Sequence, residues 1–551
     1  MNTNTDNNEW SDAAAFEKLA NQFFQAIPGK DSFDGLLPQQ FPGETGPAPA
    51  DLAHLTGPFH AQAGHPGSGI SPLAVERNTT FDIKDPQSSL PDPHFEDGNP
   101  GSLTRPSETQ LPFDGVSKGA YYFLNGANPF SLHGANPWNR NAGLTQPPFD
   151  VAAVRNDFPI LKELVNGRPL VWLDNAATTQ KPRQVIDRIG HFYSHENSNI
   201  HRAAHELAAR ATDAYEGARK KVQQFINAAS VNEIVFVRGA TEAINLVAKS
   251  WGEQHLATGD EIIVSHLEHH ANIVPWQQLA EKKGVKLKVI PVDDDGQVIL
   301  EEYAKLLSHK TKLVSVTQVS NALGTITPIK QIADMAHGAG AKVLVDGAQS
   351  VSHMRVDIRD IGADWFVFSG HKVFAPTGIG VLYGREDLLN ATQPWQGGGN
   401  MIKDVTFEHT QYQNAPGRFE AGTGNIADAV GLGAAIDYVT RIGIDNIDTY
   451  EHYLLVYATK LLRDVPGLRL IGTAKDKASV LSFVLDGFTN DQVGQALNRE
   501  GIAVRTGHHC AQPILRRFGL ESTVRPSLAF YNTCSDVDAL VSVLRRLRGR
   551  L

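Results

Sequence analysis

The sequence predicts an α/β body with a mainly parallel sheet at residues 151–425. A smaller α+β domain follows at 426–551, and an acidic segment that does not fold alone precedes the body at 1–150. Three observations carry this. Short apolar, β-rich runs alternate with helical patterns after residue 150, and strands alternating with helices build parallel sheets. That alternation gives way near residue 426 to a mixed pattern. The first 150 residues hold 18 of the 30 prolines and 15 of the 49 glycines. Such a stretch buries too little apolar surface to offset its ordering entropy, so 28–150 is expected to be largely disordered.

In chain order the expected strands are VWL (171–173), IVFV (234–237), EIIVS (261–265), KLKVIPV (286–292), KLVSVTQV (312–319), KVLVDG (342–347) and WFVFSG (365–370). Helical patterns lie between most of them, among them 241–251 and 329–338. With 41% apolar residues the chain can fill a large core.

Charge divides at the same boundary. Residues 1–150 carry 7 Lys and Arg against 17 Asp and Glu, so the formal charge of −10 belongs entirely to this segment. It would repel nucleic acid and anionic membrane surfaces. No run of 18 apolar residues exists to span a membrane, and the polar N-terminus MNTNTDNNEW is not a secretory signal. Two cysteines cannot form a disulfide framework, so a reducing compartment, the cytoplasm, is expected.

Within the segment, residues 10–27 place Phe16, Leu19, Ala20, Phe23, Phe24 and Ile27 at helical spacing, and Pro28-Gly29 stops the helix. A helix this short needs a surface to dock on. GANPF (126–130) recurs as GANPW (134–138), and aromatics adjoin prolines at Phe41-Pro42, Pro58-Phe59, Pro112-Phe113 and Pro148-Phe149. These read either as a low-complexity linker or as short docking motifs that act by multivalency.

Chemistry concentrates in the body. Lys372 follows the strand WFVFSG, a setting that suits a Schiff base with a carbonyl cofactor. Asp346 closes an apolar strand, where a carboxylate can pair with a protonated pyridine nitrogen; Gln349 lies three residues on. IVFVRGATEAINLV (234–247) is a strand, a glycine turn and a helix start, a phosphate-binding arrangement to which the Thr241 hydroxyl can add a contact. HLEHHANIVPW (266–276) offers His266, His269 and His270, either as metal ligands or as a ring stacked on a flat cofactor; adjacent histidines rarely converge on one ion. RTGHHCAQP (505–513) places Cys510 in a polar, glycine-bearing loop suited to a nucleophile or ligand.

Together, Asp346-x-x-Gln349 and Ser369-x-His371-Lys372, with His269 and Thr241 upstream, resemble the class V aminotransferases, pyridoxal-phosphate (PLP) enzymes of the aspartate-aminotransferase fold. RTGHHCA narrows the resemblance to the SufS-type (group II) cysteine desulfurases. LDNAATTQKP (173–182), VSNALGT (319–325), GGGNMI (397–402), RFEAGT (418–423) and VRPSLAFYNT (524–533) match as well. The likeness runs from about 155 to 549.

The resemblance implies these roles. Lys372 would carry the cofactor and shuttle protons. Asp346 would pair with the ring nitrogen, Gln349 would bond the ring hydroxyl, and His269 would stack on the ring and assist proton transfer as a catalytic residue. Thr241, Ser369 and His371 would hold the phosphate, joined in a homodimer by Thr423 from the partner subunit. Arg525 would clamp the carboxylate of L-cysteine, with Asn321 nearby. Cys510 would take the sulfur as a persulfide, its ionised form favoured by Arg505 and the histidines, and pass it to an acceptor protein. No metal is implied. Selenocysteine lyase and cysteine sulfinate desulfinase are the neighbouring activities. Two departures are HRAAHEL (201–207), with alanines where relatives often carry glycine, and Gly424 in place of an expected proline. A long Pro/Gly-rich leader before this body resembles desulfurases loaded as cargo into encapsulin protein shells, which would place the enzyme in a shell within the cytoplasm and point to sulfur storage beside iron–sulfur assembly.

Overall fold

The computed structural model describes residues 147–201 and 205–549, all within one compact unit. The expected helix at 10–27, both GANP repeats and the Pro–aromatic pairs up to Pro112-Phe113 lie outside the described residues, as do 202–204 of HRAAHEL.

The central sheet has seven strands: β1 (Ile234–Val237), β2 (Glu261–Ser265), β3 (Lys286–Ile290), β4 (Thr311–Thr317), β5 (Lys342–Asp346), β6 (Trp365–Ser369) and β7 (Gly380–Gly384). Their order is β1-β7-β6-β5-β4-β2-β3. β6, β5, β4, β2 and β3 are parallel, and β7 runs antiparallel to both β1 and β6. β1, β2 and β6 are buried throughout. That is why their interiors read as continuous apolar runs rather than as alternation, with polar residues only at the ends of β2 and β6.

Two details depart from the sequence reading. β7, GVLYG, was not among the expected strands. It is short, is bounded by glycines and joins β6 through a loop too brief for a helical crossover, hence its reversed direction. At its start a Cβ on Gly380 would lie 2.4 Å from Gly239 Cα, so only glycine admits β7 beside the turn after β1. VWL does not enter the central sheet; Val171–Trp172 pairs in parallel with Ile502–Ala503 instead.

A second, antiparallel sheet contains β8 (Leu468–Ile471), β9 (Ser482–Leu485), β10 (Arg505–Gly507) and β11 (Thr523–Arg525), in the order β8-β9-β11-β10. Of the helices, α1 (Arg183–His195), α2 (Glu206–Phe225), α3 (Ala240–Val247) and α4 (Ile426–Ile442) frame the body. α4 packs on both α1 and α2, and a Cβ on its Gly433 would meet Ala218 of α2 at 3.0 Å. The predicted helix 241–251 is α3 continued as one wider π turn at Ala248–Gly252.

The boundary at residue 150 also shifts. By sequence, Pro148-Phe149 groups with the leader's docking motifs. Phe149 is instead 4% exposed, with its ring edge-on to Tyr450 at 5.2 Å and to Phe530 at 6.4 Å. Asp150 then caps the following turn by accepting from Ala153 N–H at 3.0 Å. An aromatic side chain with a core slot within reach is buried there whatever the composition of its flank.

Candidate active site

The carboxyl ends of the central strands converge, the usual place for ligands in open α/β sheets. β5 ends at Asp346, β6 at Ser369, and one 3-10 turn, Gly370–Lys372, follows. β1 leads through Gly239 into α3 and Thr241, and β2 leads to His269. From the smaller sheet, β10 contributes Arg505, β11 contributes Arg525, and the turn after β10 carries Cys510.

Every residue to which the resemblance assigns a numbered role, except Thr423, lines one cavity of about 190 Å³, whereas the other candidate histidines, His266 and His270, do not. Thr423 lies outside it, exposed, with its Oγ1 3.5 Å from Asn199 Oδ1.

Each side chain has a local reason for its place. Asp346 is 4% exposed, and one oxygen accepts from Ala348 N–H at 2.9 Å. Gln349 Nε2 donates to Ala176 C=O at 2.6 Å, which ties the β5 turn to the stretch LDNAATT. Ser369 Oγ accepts from Ala240 N–H at 2.9 Å, joining the end of β6 to the start of α3. Asn321 Nδ2 donates to His509 C=O at 2.6 Å. Arg525 donates to Asn321 C=O at 2.9 Å and to Asp174 Oδ1 at 3.3 Å. Near the reactive groups the backbone takes left-handed conformations at non-glycine residues: Phe374 (φ 63°), His509 (φ 54°) and Cys510 (φ 54°). Strain of this kind persists where the surroundings over-determine it, and it gathers at functional sites.

Burial sets the electrostatics. It pushes the Lys372 amine down to about 8, while the nearby Asp346 carboxylate pulls the other way. Burial also raises Asp346, against the Ala348 N–H and the Lys372 charge. His269 is driven down to about 3 by burial and then by Lys372, His371 to about 4 by the same two causes, and His509 to about 2 by burial and then Arg525. These rings are neutral at working pH. His509 Nε2 is engaged by Thr523 Oγ1 at 2.8 Å. The positive charge around Cys510 therefore comes from Arg505, as expected, with Arg525 and Lys372; His509, one of the histidines expected to share that role, does not supply it.

Sequence reasoning missed two residues. Glu268 is fully buried and sits directly before His269. It accepts from Ser265 Oγ at 2.5 Å, Thr317 N–H at 3.0 Å and Asn272 Nδ2 at 2.6 Å. Burial still raises its carboxyl to about 8 against these donors. It pins the His269 turn to β4, next to Asp346's strand. Asp174, the counter-ion of Arg525, was visible as the one acid in LDNAATTQKP.

The cavity has the donors and acceptors of a binding site left over. Asn321 Oδ1, Arg525 Nε and His509 Nδ1 are buried with no hydrogen-bond partner among the described residues. Buried polar groups are nearly always paired in a completed site. An amine, a buried carboxylate, a glycine turn that opens a helix and an unfilled guanidinium N–H together match a flat, phosphorylated carbonyl cofactor and an amino-acid carboxylate.

Residues 171–540 match the family described as aminotransferase class-V. The chain belongs to that family. A cysteine desulfurase of Synechococcus elongatus is 71% identical over 400 residues, which is 73% of this chain but 64% of that relative, so the chain spans less than two thirds of its length. A cysteine desulfurase of Pectobacterium atrosepticum is 50% identical and is covered over 99% of its length. The apo structure of a cysteine desulfurase from Thermococcus onnurineus superposes with a TM-score of 0.70 at 38% identity, covering 73% of this chain and 98% of that one. The fold expected from the sequence, that of the PLP-dependent class V aminotransferases, is the one observed.

Proposed function

We propose that the protein is a PLP-dependent L-cysteine desulfurase of the SufS-type (group II) branch, releasing L-alanine and leaving a persulfide on Cys510. The observation that carries this is Cys510 lining the same cavity as Lys372, Asp346 and Arg525. When bound, PLP supplies an electron sink for the bonds at the substrate Cα. Lys372 would hold it by its amine, Asp346 would meet its ring nitrogen, and Gln349 its hydroxyl. His269 would cover the ring, while Thr241, Ser369 and His371 hold the phosphate.

The chain's own residues do the rest. Arg525 orients L-cysteine by its carboxylate, using the unpartnered Nε–H. Lys372, with its amine near 8, moves the proton at the substrate Cα, as a base poised close to working pH can. Cys510 Sγ attacks the substrate sulfur: an S–S bond forms and the substrate Cβ–S bond breaks. The electron pair of that bond stays with the substrate and, with a proton, becomes the methyl of alanine. A homodimer would complete the site with Thr423 of the partner subunit, and a separate protein would accept the sulfur.

For residues 1–146 we propose a loading role into an encapsulin shell, supported by their acidic, Pro/Gly-rich and aromatic-bearing composition and their position outside the family match. Deleting them should abolish co-purification with a shell protein and leave cysteine turnover intact; collapse of turnover would refute the docking role.

The deciding experiment for the enzyme is alanine release from L-cysteine with a thiol reductant, comparing wild type and Cys510→Ala. Loss of activity with the yellow cofactor colour kept is expected. Unchanged activity would move the assignment to a selenocysteine lyase or cysteine sulfinate desulfinase, whose leaving groups depart without a nucleophilic thiol.

A further inference from the structure

Of the three histidines in HLEHH, the proposed chemistry uses His269 only. The next residue, His270, meets the reactive loop instead. Its ring stacks on that of His508, with centroids 5.6 Å apart and planes at 29°. One ligand atom from each of His270, His508 and Cys510 lies within 4.8 Å of the other two. The sequence offers His266, His269 and His270 as metal ligands. The fold keeps only His270 of these and joins it to two residues far along the chain.

The cluster is held from both sides. His270 N–H donates to Cys510 C=O at 2.7 Å. Gln512 N–H reaches His270 Nε2 at 3.3 Å, and Cys510 N–H reaches His508 Nδ1 at 3.0 Å. Two imidazoles and a thiol, brought together by two separate loops, are the donor set of a borderline-soft cation. None of the three is fully buried, so an ion can enter.

We propose that His270, His508 and Cys510 form a three-ligand site for a thiophilic divalent cation of the Zn(II) kind, and that its occupancy reversibly switches off Cys510. The fourth tetrahedral position stays open to water or a thiol. On binding, the Cys510 thiol proton leaves to solvent and the thiolate and two neutral imidazoles coordinate. Zinc–ligand bonds of about 2.0–2.3 Å place ligand atoms roughly 3.3–3.8 Å apart. The three groups must therefore close by about 1 Å, which torsions of exposed His508 and half-buried Cys510 can supply. Each ring coordinates through one nitrogen, and the contacts to Gln512 and Cys510 N–H give way or exchange the ring proton. A bound cation takes the sulfur lone pair that would attack the substrate. This consequence rests on the reading of Cys510 as the nucleophile; the binding itself does not.

The test uses the PLP-loaded full chain. Zn(II) affinity is read by competition with a chromophoric chelator, and Cd(II) addition is followed by the thiolate-to-metal absorbance. One equivalent per chain is expected. His508→Ala and His270→Ala should each weaken zinc binding by roughly tenfold or more, and Cys510→Ala should remove the cadmium–thiolate band. In a zinc buffer, because cysteine itself binds the ion, wild-type turnover should fall in step with occupancy and return with a chelator. Undiminished zinc affinity in both histidine variants, or a cadmium band that survives in Cys510→Ala, would overturn the site. Zinc bound at these residues together with full turnover by Cys510→Ala would instead refute the desulfurase reading and leave the site standing.

Discussion

Arg525→Lys should separate substrate recognition from chemistry. Arg525 is 2% exposed. Its Nη atoms are engaged by Asn321 C=O and Asp174, while Nε has no partner. A substrate carboxylate would be met by a rigid fork of N–H groups, which an ammonium cannot reproduce. Lysine keeps the charge beside Asp174 but loses at least one charge-assisted hydrogen bond to the substrate. That bond is worth about 1.5–3 kcal/mol, or roughly 10- to 150-fold in affinity. A carboxylate clamped by Arg525 would be held alike before and during the reaction, so the loss should appear as a raised KM with kcat little changed. Initial rates of alanine release across L-cysteine concentrations give both constants, and unchanged cofactor absorbance confirms that the site is intact. A KM within about threefold of wild type, or a fall confined to kcat, would refute the assignment of Arg525 as the carboxylate clamp.

The other expectations concern the cofactor site and the edge of the body. Because burial holds the Lys372 amine near 8, the fraction of free amine grows as pH rises and saturates above that value. Reloading of PLP into apoenzyme should accordingly speed up through about pH 8 and then level off, whereas an ordinary lysine near 10.4 would keep the rate climbing toward pH 10. Asp346→Asn removes the buried charge that would face the ring nitrogen, and kcat should fall by about a hundredfold or more; a loss under about fivefold in single-turnover assays would contradict that role. Phe149→Ala empties a slot against Tyr450 and Phe530 and should cost about 3–5 kcal/mol in denaturant unfolding; a cost below about 1 kcal/mol would mean that the chain before residue 150 is not anchored there.

Much of the fold was legible because the strands are buried on both faces. IVFV and EIIVS carry the same bounds in sequence and structure, since a strand covered on both sides needs no polar alternation. The site was legible for a related reason. Asp346, Ser369 and Lys372 each stand at or just past the end of such a strand, where a polar residue breaks an apolar run and is easily seen.

What tertiary structure alone decided are the contacts between distant segments. GVLYG found its place beside the turn after β1 because Gly380 fits against Gly239, a fit that no local pattern encodes. VWL was claimed by Ile502–Ala503, and Phe149 by the ring pair Tyr450 and Phe530. Glu268, which the sequence did not single out, gains its place only because Ser265, Asn272 and Thr317 close around it. HLEHH offered metal ligands or a stacking ring and GHHC a nucleophile flanked by histidines, but only the fold set His270 and His508 beside Cys510. Sequence carries propensity and periodicity, which act over a few residues. Which distant groups share a cavity depends on the path of the whole chain, and that path is settled only when the core is packed.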